Sequence, residues 1–170
     1  LQGCNMRCKY CHNPETWSFD DAKFTVSAKD AFNKAYKYKN YWRKNGKPNG
    51  GITVSGGEPL LQIDFVTEFF KYAKEKGVHT TLDSSGSAFT REEPFFSKFN
   101  ELMKYTDLVM LDLKQTDTEK HKELTGRTNE NILDMAKYLS DIGKDMWIRR
   151  VLVPNLTNDD KELNNLYDFI

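Results

Sequence analysis

Short apolar segments alternate with longer amphipathic segments along the chain. The short segments are rich in β-branched and aliphatic residues, as buried strands are, and occupy residues 51–55, 78–82, 108–111 and 146–153. In the longer segments apolar side chains recur at helical spacing, and these occupy residues 25–44, 63–76, 92–104, 131–142 and a stretch after 158. Regular alternation of strand and helix predicts an α/β fold with a parallel sheet and helical crossovers.

Local residues support the ends of several of these elements. Thr25 or Ser27 is a suitable cap for the first helix, while Gly77 and Gly143 follow helical segments and predict their ends. The segment 45–50, Asn-Gly-Lys-Pro-Asn-Gly, predicts a turn-rich loop before the strand at 51–55.

Polar, glycine-rich or charged groups follow each of these strands, whereas the strand starts carry nothing comparable. The groups are Ser55-Gly56-Gly57-Glu58-Pro59, Asp83-Ser84-Ser85-Gly86, Asp112-Leu113-Lys114 and Pro154-Asn155. In parallel α/β folds the functional residues lie at the carboxyl edge of the sheet, in closed barrels and open sheets alike. Periodicity therefore predicts the functional edge and leaves both a barrel and an open doubly wound sheet as architectures.

Composition narrows the class of protein. A chain of 170 residues with 38% hydrophobic content suits one domain, residues 1–170. The 25 basic and 25 acidic residues balance, which gives no broad electrostatic reason to expect binding to nucleic acid or membrane. No apolar run is as long as a membrane span and no signal segment opens the sequence, so we expect a cytoplasmic protein.

Both ends of the sequence are abrupt. Leu1-Gln2-Gly3 has no initiator methionine and is typical of the tail of a strand, while the segment 166–170 stops within a helical pattern. We expect a fragment that is incomplete at both ends, lacking the start of its first strand and its last strand.

All the cysteines of the chain lie in one short segment. Cys4, Cys8 and Cys11 have the spacing C-x3-C-x2-C. Three thiolates without a fourth can hold a cubane iron–sulfur cluster at three irons and leave the fourth iron open to a ligand that is not protein. The segment therefore predicts a cluster with an open iron.

Three other interpretations of the cysteines remain open. Residues 8–12 match the haem-attachment pattern C-x-x-C-H, although that leaves Cys4 unused and requires an exported protein. A zinc site of three cysteines and His12 is the second, although structural zinc sites usually draw ligands from two separated knuckles. Ordinary buried thiols or a disulfide are the third, which the odd cysteine count and tight spacing disfavour.

The cysteine segment, with the aromatic Tyr10 before its third cysteine, resembles the radical S-adenosylmethionine superfamily. Residues 10–17, Tyr-Cys-His-Asn-Pro-Glu-Thr-Trp, are more narrowly similar to the activating enzymes of pyruvate formate-lyase. The resemblance implies a partial (β/α)6 barrel and a [4Fe-4S] cluster with S-adenosylmethionine bound to its open iron. It also implies an oxidoreductase that generates a 5′-deoxyadenosyl radical and abstracts hydrogen from a glycine of the partner enzyme.

The same resemblance implies roles for particular residues. Cys4, Cys8 and Cys11 would hold the cluster, and Gly57 and Glu58 match a Gly-Gly-Glu motif at the amino group of S-adenosylmethionine. The other expected cofactor contacts are Tyr10, Cys11, His12, Asp112, Leu113 and Lys114. Taken alone, the Gly-Gly segment could be a tight turn, and Lys114 an ordinary solvated lysine.

Asp83 and Asp112 follow successive strands and should converge on one face of the sheet. Two carboxylates so close are unfavourable unless a cation or donor lies between them; singly, each could be a helix cap or a solvated acid. The family resemblance implies a monovalent cation held by Asp83, Ser84, Met110 and Asp112. Ser85 stands where the family more often has asparagine.

The partner is also an expectation from resemblance. Residues 18–50 contain no cysteine, unlike activases that carry a ferredoxin insert there. This favours pyruvate formate-lyase or anaerobic ribonucleotide reductase as partner, and residues 13–17 favour the former. A flavodoxin or ferredoxin is the expected electron donor, and a non-catalytic metal-binding module is the alternative of another class. Arg149 and Arg150 alternate on a strand, so at most one should face the site.

Overall fold

A four-stranded parallel sheet forms the centre of the molecule. It is seen in a computed structural model that describes residues 1–44 and 47–170. Its strands are adjacent in sequence order, and they are β3 (Gly51–Val54), β4 (His79–Ser84), β5 (Leu108–Asp112) and β6 (Met146–Arg149). A separate antiparallel pair consists of β1 (Arg43–Lys44) and β2 (Lys47–Pro48). The loop expected at 45–50 falls partly on residues 45 and 46, outside the described residues.

In residues 1–44 and 47–170 six α-helices accompany the sheet. They are α1 (Ala28–Tyr36), α2 (Ile63–Glu75), α3 (Phe95–Met103), α4 (Thr118–Thr125), α5 (Glu130–Asp141) and α6 (Asp160–Phe169). Of these, α2 to α5 supply the crossovers between its parallel strands. Short 3-10 segments occupy Pro14–Thr16, Phe19–Asp21, Lys39–Trp42 and Pro59–Gln62. Within the described part of the chain, none of the helices combines the length and apolar character needed to cross a bilayer.

The helix α1 begins as predicted and ends earlier. The Ser27 hydroxyl accepts from the backbone N–H of Asp30 at 3.1 Å, so Ser27 is the cap of this helix and Thr25 is not. The predicted end near residue 44 is wrong, because the backbone tightens after Tyr36. There the N–H of Tyr38 donates to Ala35 and that of Tyr41 to Tyr38, each across three residues.

The strand β6 is shorter than the predicted 146–153. Beyond Arg149 the backbone finds partners in its own loop. The Thr157 hydroxyl donates to the carbonyl of Val151 at 2.6 Å and accepts from the N–H of Val153 at 2.7 Å. These bonds satisfy backbone groups that a longer strand would offer to a neighbour.

The two faces of the sheet have different character. On β5, Val109 and Leu111 have no exposed surface and pack in the core with residues of the flanking helices, among them Phe70, Phe99, Leu102, Met135 and Leu139. The alternate residues Met110 and Asp112 point to the opposite, more open face. The register pairs Met110 with Asp83 and Asp112 with Arg149, so the residues of this second face lie side by side.

The first residues run beside the turn that follows β3 and are not a strand of the sheet. The backbone nitrogen of Leu1 donates to Ser55, while Gly57 donates to Leu1 and Glu58 donates to Gly3, at 2.7, 2.9 and 2.7 Å. A Cβ on Gly57 would lie 2.1 Å from the carbonyl oxygen of Gly3. Glycine is thus required at residue 57 by the close approach of this segment.

Replacing Phe99 with alanine should destabilise the fold by roughly 3 to 5 kcal/mol. The ring is fully buried and packs edge-to-face against Phe89 with centroids 4.9 Å apart, so truncation leaves a cavity. Urea unfolding gives the measurement. Tyr167→Ala is the matched control, because that ring is 82% exposed, and its cost should stay within about 0.5 kcal/mol. Equal unfolding midpoints for the two variants would contradict the assignment of the core.

Candidate functional site

A cavity of about 270 Å³ opens at the carboxyl edge of the sheet. The cysteine segment, the turn after β3 and the ends of β4, β5 and β6 meet there. Most of the residues predicted for the site line it, namely Cys4, Cys8, Tyr10, Cys11, His12, Gly57, Asp83, Ser84, Asp112 and Lys114. Arg149, one of the two arginines considered for the site, also lines it. The lining further includes Asn13, Trp17, Ser85 and Val151, to which the sequence assigned no ligand contact.

The cysteine segment has no regular secondary structure and is held by the C-terminus of α4. The N–H of Arg7 donates to the carbonyl of Thr125 at 2.8 Å and the N–H of Lys9 donates to that of Leu124 at 2.9 Å. These are carbonyls of the last helical turn, which lack partners inside a helix. Gly126 follows in the left-handed conformation, with φ of 78°. The cysteine segment thus completes the capping of α4.

The helix α4 was not predicted from sequence. Its segment, Thr-Glu-Lys-His-Lys-Glu-Leu-Thr, is largely polar, and only His121, Leu124 and Thr125 are buried. A weak apolar stripe gives no clear helical period. Asp117, whose side chain accepts from the N–H of Lys120, was the one local indication of a helix start.

The three cysteines are free thiols and are partly buried. Burial raises the pKa of Cys4 above its ordinary value, with smaller contributions from Glu58 and Cys11. Burial also raises the pKa of Cys8, and the charge of Lys114 partly offsets this. In residues 1–44 and 47–170, no three histidine, cysteine or acidic side chains are grouped to hold a single metal ion. A cubane cluster makes a different demand, because each thiolate binds its own iron.

The carboxylates of Asp83 and Asp112 are bridged by Arg149. Arg149 Nη2 lies 2.5 Å from Asp83 Oδ1 and 2.9 Å from Asp112 Oδ1, and Nε also reaches Asp112 at 3.1 Å. Arg149 Nη1 lies 3.9 Å from the sulfur of Met110. The predicted convergence of the two acids is therefore seen, and a guanidinium supplies the positive charge between them.

The neighbouring Arg150 is turned the other way. Its guanidinium donates to Gln115 Oε1 at 2.7 Å and lies 3.4 Å from Glu162, with both charged side chains almost fully buried. The alternation expected for the two arginines thus places Arg149 at the cavity and Arg150 beneath the loop that follows β6.

Lys114 places a second positive charge at the cavity. Its ammonium nitrogen lies 3.4 Å from Asp112 Oδ2 and 5.7 Å from the centre of the Tyr10 ring. Burial lowers the pKa of Lys114, but the negative charge of Asp112, together with Tyr10 and Cys8, raises it, and the pKa stands above its ordinary value. The hydroxyl of Tyr10 is buried and, among the described residues, has no hydrogen-bond partner.

Glu58 lies behind the cavity wall and is fully buried. Its carboxylate accepts from the N–H of Leu60, from the hydroxyl of Ser84, and from both the N–H and the hydroxyl of Ser85. Burial raises the pKa of Glu58, while these donors lower it. The side chain that resemblance predicted as a cofactor contact is occupied by bonds within the protein. The hydroxyl of Ser84 is directed to this carboxylate.

Two further predicted residues do not line the cavity. Leu113 is 1% exposed and its side chain belongs to the hydrophobic core. Met110 lies on the open face of β5 beneath the guanidinium of Arg149. Leu113 can therefore contact a ligand in the cavity only through its backbone.

The stability of the fold depends on pH through Asp83, because burial raises the pKa of this carboxyl by more than the bridge to Arg149 lowers it. Burial raises the pKa of Asp83, the charge of Arg149 lowers it and that of Asp112 raises it, with a net rise. The folded chain then holds this proton more tightly than the unfolded chain. The stability contributed by Asp83 therefore falls as pH rises from the unfolded pKa to the higher folded pKa.

Arg149→Met should raise the pKa of Asp83 further. The loss of stability with rising pH should then be larger and should continue to a higher pH. Urea unfolding between about pH 4 and pH 8 measures this. Arg91→Met is the control, because Arg91 pairs with Asp134 in an exposed bridge and lowers the pKa of that carboxyl. The control should lose stability by the same amount at every pH above about 5, because Asp134 is ionised there in both the folded and the unfolded chain. Parallel pH curves for the two variants would contradict a role for Arg149 at Asp83.

Comparison with known proteins identifies the family. Residues 1–167 match the family model described as the Radical SAM superfamily. Over 170 residues the chain is 50% identical to the pyruvate formate-lyase-activating enzyme of Listeria monocytogenes serovar 1/2a, with 100% of the chain and 67% of that protein covered. It is 48% identical over 171 residues to the protein of the same name from Streptococcus mutans, covering 64% of it. The chain thus spans about two thirds of the length of these relatives.

Solved structures agree in fold. A domain of a pyruvate-formate lyase-activating enzyme from Bacteroides vulgatus matches 71% of this chain and 71% of its own, with 27% identity and a TM-score of 0.62. Streptococcus suis SuiB bound to S-adenosylmethionine matches 98% of this chain and 35% of its own, at 22% identity and a TM-score of 0.74. The predicted α/β fold of the partial-barrel type is confirmed. The chain belongs to the radical SAM superfamily and, within it, to the family of the pyruvate formate-lyase-activating enzymes.

Proposed function

We propose that this chain is the iron–sulfur, S-adenosylmethionine-dependent core of an activase that abstracts hydrogen from a glycine of pyruvate formate-lyase. The observation that carries the proposal is the meeting of Cys4, Cys8 and Cys11 with Lys114 and Asp112 around one cavity. The names of the relatives at 48 to 50% identity support the choice of reaction. Residues 1–170 would belong to one radical SAM core domain of a cytoplasmic protein.

The residues present suit both cofactors. Three free thiols border the same cavity, as a cubane cluster with one open iron requires. The Tyr10 hydroxyl, which has no hydrogen-bond partner in the part of the chain that the structure describes, and the charge of Lys114 offer polar contacts to a ligand beside them. When bound, the cluster and S-adenosylmethionine supply the radical chemistry that breaks a carbon–hydrogen bond.

The protein's own task is to hold these groups and to keep the site closed to water. Lys114 presents a compact positive charge for the carboxylate or ribose hydroxyls of the ligand. Tyr10, Cys11 and His12 would lie on its adenine side. The peptide at Gly57 and the neighbouring Glu58 turn would face its amino group, and the residues of Asp112-Leu113-Lys114 would complete the contact.

A monovalent cation beside the ligand carboxylate is part of the proposal. Asp83 and Asp112 would hold it with Met110 and with Ser84. Since the Ser84 hydroxyl donates to Glu58 at 2.7 Å, Ser84 would contribute its backbone oxygen. Arg149 already bridges the two acids, so cation and guanidinium would share the negative charge of this pair.

A flavodoxin or ferredoxin would supply the electron, and a loop of the partner carrying the glycine would enter the cavity. Anaerobic ribonucleotide reductase is the alternative partner. Added partner proteins distinguish the two, because only the correct enzyme should gain a glycyl radical in electron paramagnetic resonance spectra.

Anaerobic reconstitution of the full chain should give about four irons per chain, and reductant with S-adenosylmethionine should yield 5′-deoxyadenosine. Replacing Cys4, Cys8 or Cys11 singly with alanine should abolish both, because each thiolate holds one iron. Iron analysis and chromatography of the nucleoside provide the measurements. Full activity in any one of these variants would overturn the cluster assignment. Iron uptake without cleavage would favour a non-catalytic metal-binding module.

Lys114→Met should weaken binding of S-adenosylmethionine about tenfold or more while the iron content stays unchanged, because a charge-assisted contact is lost. Isothermal titration with the reconstituted protein measures the affinity. Lys120→Met is the matched control, since Lys120 pairs with Asp159 in an exposed bridge outside the cavity lining. Equal affinities in both variants would remove Lys114 from the ligand site.

A further inference from the structure

A buried chain of polar side chains joins the turn after β3 to the cysteine segment. Ser85 Oγ lies 2.5 Å from Glu58 Oε2 and 2.9 Å from Ser87 Oγ, and Ser87 Oγ lies 2.5 Å from Asn5 Oδ1. Glu58 has no exposed surface, and both serines are 8% exposed. Asn5 directly follows Cys4 in the sequence. The chain therefore ends within the segment that carries the cysteines.

The hydrogen bonds of Asn5 fix the orientation of its amide. Its oxygen has no hydrogen and accepts from the hydroxyl of Ser87, while Nδ2 donates to the carbonyl of Ser87 at 3.0 Å. A flipped amide would place two oxygens against each other at the Ser87 carbonyl. The side chain of Asn5 is thus held at both atoms by one residue. The hydroxyl of Ser85 donates to Glu58 and that of Ser87 to Asn5, so the bond between the two serines is the one from the backbone N–H of Ser87 to Ser85 Oγ, at 3.4 Å.

Other contacts brace the two ends of this connection. The carbonyl of Ser87 also accepts from Asn131 Nδ2 of α5 at 2.8 Å. The backbone carbonyl of Asn5 accepts from Arg127 Nε at 3.0 Å. Asn5, the residue after Cys4, is therefore fixed through its side chain by Ser87 and through its backbone carbonyl by Arg127.

We propose that Ser85, Ser87 and Asn5 are positioning residues that transmit the rigid geometry of the buried Glu58 carboxylate to the Cys4 end of the cysteine segment. This inference rests on the proposed function for its consequence at the cluster. Hydrogen bonds and solvent access around an iron–sulfur cluster set its reduction potential. A loosened segment admits water, which favours the more negatively charged reduced form.

The test uses Ser87→Ala, Asn5→Ala and the variant that carries both substitutions. The control is Ser140→Ala, because Ser140 is exposed on α5. In the reconstituted full chain, each single variant should keep about four irons. Each should raise the midpoint potential and weaken S-adenosylmethionine binding about fivefold, as the loss of one hydrogen bond does. The double variant should add little to Asn5→Ala, because that substitution already removes the bond from the Ser87 hydroxyl along with the bond from Nδ2. Ser87→Thr keeps the hydroxyl and should restore the wild-type potential.

A second measurement does not depend on the cluster. Hydrogen–deuterium exchange of the metal-free full chain should become faster in residues 4–8 for Ser87→Ala and Asn5→Ala, and should stay unchanged for Ser140→Ala. Unchanged exchange in both Asn5 and Ser87 variants would overturn the positioning role. If wild-type chain takes up no iron, the proposed function fails, while this exchange result still decides whether the connection exists.

The two measurements together separate the remaining outcomes. Faster exchange with an unchanged potential would show that the connection does not act on the cluster, and would overturn the proposal. Additive effects of the two alanine substitutions would show that Asn5 and Ser87 act independently, which also contradicts it.

Discussion

The carboxylate of Glu58 is completely buried, so its oxygens must find donors inside the protein or the fold bears the cost of an unsolvated charge. Those donors come from two places that are remote in sequence: Leu60 in the turn after β3, and Ser84 and Ser85 at the end of β4. The carboxylate can reach all of these donors only if the turn and the end of β4 lie at a fixed distance from each other. The same two segments form the wall of the cavity, so the shape of the site follows from the need to satisfy one acid.

The sheet separates packing from chemistry by simple alternation along its strands. On β5 the residues Val109 and Leu111 face the helices and are fully buried, whereas Asp112 faces the cavity. Parallel pairing then aligns Asp112 with Arg149 on the next strand. Two acids would repel each other on this face, and the guanidinium between them lowers that repulsion. Charged groups can gather there because the opposite face of the same strands supplies the hydrophobic stability.

The sequence predicted the parts of the structure that depend on local pattern. Strands β3 to β5, the ends of the helices at Gly77 and Gly143, and the functional edge of the sheet follow from periodicity and turn residues. The bridge from Arg149 to Asp83 joins residues 66 positions apart, and the burial of Glu58 depends on a strand 26 positions away. No local pattern contains such contacts. The resemblance to the family suggested a ligand role for Glu58. In the fold its carboxylate joins the turn after β3 to the end of β4.

The helix α4 shows why a weak sequence pattern can still give a defined element. Its polar composition offers little apolar surface, but Leu124 and Thr125 at its end are buried, and their carbonyls accept from the N–H groups of Arg7 and Lys9. Helix and cysteine segment each satisfy the backbone of the other, so neither needs strong intrinsic propensity. The contact with α4 uses backbone atoms of Arg7 and Lys9. The side chain of Arg7 also donates to the carbonyls of Cys4 and Met6, each at 2.7 Å, so it braces the cysteine segment from within. The position of the cysteine segment is therefore set at Arg7 and Lys9 by backbone contacts with α4, and at Asn5 by contacts with buried polar side chains.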